Sequence, residues 1–379
     1  MTISDVRRAA QQHVMPHFTT SRSWHADSLP VIVRGVGAHV WDAEGRRYLD
    51  GLSGLFRVNA GYGRDAFVAA GSRQLADLAY ASTWDAVHPA TAHAAVALAE
   101  RAPGDLDREF FVNSGSEAVE SALKLARCYH LANGEPQRQQ VIARDWACHG
   151  TSLGALCLTG VPATRAPFEP WLGDWVRRVP HTLDDPHDGS VPGPRLPSVR
   201  AIEDVIDTQG PDTVAMIIAE PVQNGRGAVT PAPGYWSALR ALCDRHGILL
   251  CADEVITGFG RCGGWFAVAR ENVVPDLLTF AKAAASGYAP VGGVLARRAA
   301  AARVRARLRC RCTRLVAGGV LARLMRDAGI IVRPDARGAT MLTIAPPLIC
   351  GTEEIAELLL AGVDRVLDGV GRWLTRPGR

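Results

Sequence analysis

Two side chains in this sequence can offer a free amine: Lys124 and Lys282 are its lysines, and the other forty of its 42 basic residues are arginine. An arginine stays protonated in any protein environment. A lysine taken out of water can lose its proton and attack a carbonyl as a Schiff-base former. Lys282 follows the apolar run Leu277 to Ala281 within PDLLTFAKAAASGYAPVGG, a setting that desolvates an amine. Upstream, GILLCADEV (Gly247 to Val255) is an apolar strand that ends in two acids, and an acid at the C-terminal edge of a parallel strand can face a ligand crevice. Asp253 precedes Lys282 by 29 residues, one strand-to-strand crossover. That spacing can bring a carboxylate and an amine to opposite ends of one small aromatic ligand, the carboxylate pairing with a protonated ring nitrogen. A third handle is FVNSGSE (Phe111 to Glu117), a strand, a small-residue turn and a helix start. Ser114 with Glu117 fits a capping box, Gly115 lets a ligand approach the backbone, and a helix N-terminus suits a phosphate. The Walker A ending Gly-Lys-Ser/Thr is absent, which argues against a P-loop nucleotide site. Each feature alone also has a structural reading: a surface lysine, a solvated strand end, an ordinary capped helix.

The elements that must position these groups follow from the pattern of apolar residues. Short apolar runs at Glu109 to Val112, Gln140 to Ala143, Val214 to Ala219, Ile248 to Ala252, Leu277 to Phe280 and Gly293 to Ala296 alternate with helical patterns that include Ser116 to Leu131 and Gly234 to His246. Alternation of this kind predicts an α/β layer with a mainly parallel sheet. Before it, the first thirty residues read as an arm without strong periodicity. Val31 to Gly54 reads as an antiparallel hairpin or meander, and helical patterns follow at Asp65 to Leu78 and Ala90 to Arg101. Val179 to Pro197, rich in Pro, Asp, His and Gly, reads as a surface loop. TEEIAELLLAGVDRVLDGVGRWL predicts a last amphipathic helix capped by Thr352.

Bulk properties bound the function classes. At 379 residues and 47% hydrophobic, the chain can build a large core and a satellite domain. It has no apolar run long enough to cross a bilayer and no apolar leader, so a soluble cytoplasmic protein is expected, with no membrane partner. Nine cysteines without metal-type spacing suggest free thiols and no metal site; Cys310-Arg-Cys312 alone is too short a motif for zinc. Eight arginines and no acid lie between Arg297 and Arg314, so the net charge of +4 hides a remainder of −4. A basic run can bind nucleic acid, yet this one has no aromatic residue for base stacking, and no nucleic-acid partner is expected. The alternating arginines from Arg303 to Arg311 fit neither an amphipathic helix nor a buried strand.

A phosphate cradle, an acid and a Schiff-base lysine are the three handles of pyridoxal phosphate (PLP), and around them the sequence resembles the class III aminotransferases of PLP fold type I, in texture the omega-amino acid or amine:pyruvate branch. The resemblance is carried by WDAEGRRYLDGLSGLFRVNAGYGR, FFVNSGSEAVESALKLARCYH, CHGTSLGALCLTG, IIAEPVQNGRGAVTPAPGYW, LLCADEVITGFGR and PDLLTFAKAAASGYAPVGGV, in the family's order from about Val31 to Val294. It implies a large PLP-binding domain at residues 61–296. A small α+β domain would be built from both termini, with an N-terminal arm and part of that domain at 1–60 and a shortened C-terminal part at 297–379. It also implies that Lys282 forms the Schiff base and shuttles a proton, while Asp253 holds the pyridine nitrogen protonated. Gly115 and Ser116 would bind the phosphate, Val255 would pack on one ring face, and Cys148, His149, Glu220 and Gln223 would line the cofactor site. Phe56, Arg57 and Arg333 are the substrate-side positions, and Lys124 belongs to the scaffold helix. The implied reaction is ping-pong transfer of an amino group from an amine or omega-amino acid to a keto acid, in a homodimer.

Three departures from the family pattern matter. Cys148 stands where an aromatic residue commonly stacks on the cofactor ring, which predicts weaker retention. Arg57 replaces a small or apolar residue, and either binds a substrate carboxylate, fills the pocket or faces solvent. Arg333 follows Lys282 by 51 residues, several tens fewer than the family pattern implies, as though a segment had been lost at the arginine run. The missing piece would include the threonine that reaches the phosphate of the neighbouring subunit's cofactor. Arg337 is a rival to Arg333 as carboxylate binder. A non-catalytic remnant that binds PLP weakly is therefore the alternative reading, and racemase or aminomutase chemistry would use the same handles.

Overall fold

The computed structural model describes residues 1–26, 29–83, 86–307, 320–327, 333–335 and 341–343, with isolated positions between 351 and 372. These gather into two compact units, one of Met1–Ala79 with His93–Ala301, the other of Tyr80–Ala92 with Ala302–Arg379.

In the first unit, β1 (Ile32–Val36), β2 (His39–Asp42) and β3 (Arg47–Leu49) form the expected antiparallel meander. Its turn is closed by buried Asp42, which accepts from Arg46 N at 2.8 Å, Arg46 Nε at 2.7 Å and the Tyr48 hydroxyl at 2.6 Å. The main sheet contains β4 (Leu106–Val112), β5 (Gln140–Arg144), β6 (Val176–Val179), β7 (Val214–Ala219), β8 (Leu249–Asp253), β9 (Leu277–Phe280) and β10 (Gly292–Arg297), in the spatial order β4-β10-β9-β8-β7-β5-β6. From β9 to β6 every pairing is parallel, and β10 runs antiparallel to both neighbours. Every residue of β7, β8 and β9 is buried. That burial explains their unbroken apolar runs, each large side chain contributing about 1.5–3 kcal/mol. Helices Pro197–Gln209 and Tyr235–His246 pack on one face with Ile202, Ile206, Leu239 and Leu242. Helix Gly115–Ala132 covers the other face with Ala118, Val119, Ala122 and Ala126.

Four local expectations are corrected. The N-terminal arm contains a helix, Ile3–His13, whose capping box is Thr2 with Asp5. Strand β6 was hidden by Arg177 and Arg178 in Val-Arg-Arg-Val; both arginines are satisfied, Arg177 Nε by Gln209 Oε1 at 2.7 Å and Arg178 by the Cys157 carbonyl. Ser114 accepts from Glu117 N at 3.3 Å, but Glu117 reaches past the cap to Asn113 N at 2.7 Å, so the reciprocal half of the box is missing. The start of the arginine run is helical, Arg298–Arg307, because Ala and Arg both favour helix. Arg297 and Arg298 of this run pair with Asp105 and Asp107. Arg309, Arg311 and Arg314 lie outside the described residues, as does most of the last predicted helix. In the second unit, helix Val320–Asp327 precedes β11 (Arg333–Asp335), which pairs antiparallel with β12 (Met341–Thr343).

Candidate active site

The C-terminal ends of β7, β8 and β9 deliver three functional groups in adjacent positions: Glu220 just beyond β7, Asp253 as the last residue of β8, and Lys282 two residues beyond β9. This is where an open parallel sheet places its ligand crevice. Cys148, Glu220, Val222, Asp253, Val255 and Ile256 line a narrow cleft there.

Asp253 is buried and oriented through both of its oxygens. Its Oδ2 meets His149 Nδ1 at 2.6 Å, and its Oδ1 accepts from Thr279 Oγ1 at 2.9 Å and Val255 N at 3.1 Å. His149 is in turn held by its own N–H, which donates to Thr159 Oγ1 at 3.0 Å, while its Nε2 is buried with no partner. Lys282 opens a short 3-10 turn and has φ of +43°, a left-handed conformation rare for a side chain of this size. Burial lowers the pKa of its amine, with Arg57 acting in the same direction; Asp253, Cys148 and Glu220 oppose this. An amine so placed is nearer to its neutral, nucleophilic form than an exposed lysine.

Helix Gly115–Ala132 presents its N-terminus to the same region. A Cβ on Gly115 would lie 2.8 Å from Val255 Cγ1, so only glycine lets the helix start close against the wall of the cleft. Ser116 Oγ accepts from Thr151 N at 3.1 Å and ties the helix start to the segment that carries Cys148 and His149. Ser114 Oγ takes the Glu117 N–H and the Ser114 carbonyl takes that of Ala118. Among the described residues the Gly115 and Ser116 N–H groups have no acceptor, which suits them to an external one.

Glu220 is buried, which pushes its carboxyl pKa up; it accepts from Cys148 N at 3.4 Å and Asn224 N at 3.3 Å. Gln223 is buried, donates to the Asp145 carbonyl at 2.6 Å, and leaves its Oε1 without a partner. Cys148 is exposed at the rim; surrounding protein and the Glu220 charge raise its pKa, so it remains a thiol. Phe56 is half-buried with φ of +63°, and Arg57 is exposed, its charge acting on the Lys282 amine. Arg333 stands on β11 of the second unit, Arg337 lies outside the described residues, and Lys124 lies along the helix beside Leu123 and Trp175.

The sequence reading missed three supports. Thr279, which holds Asp253, was visible as the polar member of Leu-Leu-Thr-Phe. Thr159 and Arg144 carried no local signal: Arg144 is buried, and its Nη2 donates to the Glu220 carbonyl at 2.7 Å.

The residues fit pyridoxal phosphate. There is a desolvated amine, a buried carboxylate at a strand end, a helix N-terminus, and buried His149 Nε2 and Gln223 Oε1 atoms that lack partners among the described residues. A type I fold with such a crevice defines a PLP-dependent class. The chain belongs to the class III aminotransferases, whose family pattern matches residues 20–307. A probable aminotransferase of Mycobacterium tuberculosis is 46% identical over 270 residues, covering 70% of this chain and 58% of that protein. The crystal structure of a thermostable (S)-enantioselective omega-transaminase from Thermomicrobium roseum superposes with a TM-score of 0.77 at 29% identity, covering 98% of this chain and 99% of that one. An amine transaminase from an uncultivated Pseudomonas species, solved in its PLP-bound form, gives 0.68 at 28% identity, covering 95% and 98%. The chain spans about three-fifths of the length of the curated relatives it matches.

Proposed function

We propose that the chain transfers an amino group from an amine or omega-amino acid to a keto acid in two half-reactions, with PLP as cofactor. The observation that carries this reading is that the Lys282 amine and the Asp253 carboxylate, from the ends of neighbouring strands β9 and β8, act on one another while the Gly115–Ala132 helix starts against Val255, two residues beyond Asp253. When bound, the cofactor supplies an electron sink for the carbanion at the substrate Cα. The Gly115 and Ser116 N–H groups and the helix dipole bind its phosphate. Asp253, oriented by Thr279 and His149, holds positive charge at the ring nitrogen. Lys282 Nζ takes the proton from the substrate Cα and returns it, and burial of the amine suits it to that role. Val255 packs on a ring face, whereas Cys148 offers little stacking area. Racemase and aminomutase chemistry would need no separate keto acid.

A homodimer is part of this proposal. Helix Asp65–Asp77 buries no residue within the chain, and Val68 and Leu75 remain more than half exposed, an apolar face that a second copy would cover. No helix among the described residues is long and apolar enough to cross a membrane, and a cytoplasmic location is proposed.

The test is the visible spectrum of purified protein with added PLP. The wild-type chain is expected to gain an absorption that is absent in Lys282→Ala, fades on adding an amine donor and returns with a keto acid. Lys282→Ala should also lower turnover by at least about 10²-fold. Protein that stays colourless in excess PLP, or colour indifferent to amines, supports a non-catalytic remnant. The intact handles around the cleft speak against that alternative.

A further inference from the structure

We propose that Arg57 sets substrate specificity by binding the carboxylate of a donor or acceptor seated at Lys282, so that the chain prefers anionic substrates to neutral amines. This rests on the aminotransferase reading and adds the substrate class.

Ser53, Gly54, Leu55 and Phe56 have φ of +51°, +56°, +67° and +63°, a full turn of left-handed helix that L-residues adopt only at a cost. Asp50 holds the turn by accepting from Leu52 N at 3.1 Å, Gly54 N at 2.8 Å and the Tyr62 hydroxyl at 2.7 Å. The backbone returns to the right-handed region at Arg57, φ −100°, whose N–H donates to the Ser53 carbonyl at 2.8 Å.

The residues just after Arg57 are fastened to the lysine segment. Ala60 N donates to Ser286 Oγ at 2.9 Å, four residues beyond Lys282, and a Cβ on Gly287 would lie 3.5 Å from Val58 Cγ2. Asn59 Nδ2 donates to the Phe259 carbonyl at 2.9 Å, anchoring the other side. The strained turn therefore sets Arg57 on a segment fastened to the loop that carries Lys282.

That side chain is exposed, and no carboxylate among the described residues pairs with it. Its charge reaches the amine, where the opposing groups are Asp253 from the end of β8, Glu220 from the end of β7, and Cys148. Asp253 is committed to His149, Thr279 and Val255, and Glu220 to Cys148 N and Asn224 N. A guanidinium with no carboxylate partner among the described residues offers a fork of donors to an incoming carboxylate.

Because the chain has two lysines, labelling lysine Cε gives two NMR signals, and Lys124 serves as internal reference. In the full-length, cofactor-free chain, butanoate is expected to raise the Lys282 pKa saturably by screening Arg57. Butanamide should leave it unmoved. Arg57→Ala should raise the Lys282 pKa by itself and abolish the butanoate response, and Arg57→Lys should keep part of it. With PLP bound, Arg57→Ala should raise KM for 4-aminobutanoate by about 10- to 100-fold while KM for butylamine hardly changes. An equal butanoate response in Arg57→Ala, or none in the wild-type chain, overturns the proposal. Loss of the PLP spectrum would instead overturn the aminotransferase reading, and the lysine titration is independent of it.

Discussion

Asp253 and Glu254 are adjacent acids with opposite tasks. Asp253 faces the cleft, whereas Glu254 points into the interior, where Thr257 and Val268 N, the latter at 2.7 Å, donate to it. Burial nevertheless pushes the Glu254 pKa from 4.5 to about 7. Between those values the folded chain keeps a proton that the unfolded chain has released, so stability falls as pH rises through that window. The loss reaches at most about 3 kcal/mol once Glu254 is ionised. Glu254→Gln should flatten this part of the profile and stabilise the protein above pH 7. Urea unfolding of the cofactor-free protein from pH 5 to 8 measures it; identical slopes for both proteins would refute the assignment. From residue types alone the two acids look alike, and it is the family resemblance that points to Asp253; which side chain turns inward depends on how the end of β8 sits against β9.

At the scale of elements, the helix start at Gly115 and the segment after β8 are mutually fitted. Gly115→Ala would drive a methyl group to 2.8 Å from Val255, so helix and wall must separate. We expect a loss of about 1–3 kcal/mol and weaker PLP retention, read by thermal unfolding and by the PLP concentration needed for half-maximal absorption. Unchanged values in both measurements would show that the contact relaxes freely. The strand–turn–helix unit was legible because its parts are local: an apolar run, a capping serine, a glycine. Strand β6 was not, since its arginines are satisfied by Gln209 and Cys157, residues remote in sequence.

At the scale of the molecule, the proposed dimer rests on the exposed Val68 and Leu75 of helix Asp65–Asp77. Sedimentation at several concentrations should give a dimer, and Val68→Glu with Leu75→Glu on helix Asp65–Asp77 should yield monomer. Charges buried in an apolar interface go unpaired. A wild-type chain that sediments as monomer while showing full PLP absorption would refute the dimer. The arginine run illustrates the limit of pattern reading at this scale. The alternating arginines fit no amphipathic helix, yet Arg298–Arg307 is helical, because the helix propensity of Ala and Arg needs no amphipathic stripe.

By itself the sequence determined the α/β alternation, the strands β7 and β9 residue for residue, and the singular status of Lys282. These follow from apolar runs and residue type, which act over a few positions. Only the tertiary structure decided that His149 reaches Asp253 across 104 positions, that Glu254 is buried, and that the segment after Arg57 is fastened to the loop of Lys282. Those meetings depend on strand order and on a left-handed turn held by Asp50, and no short stretch of sequence encodes the path of the chain between them.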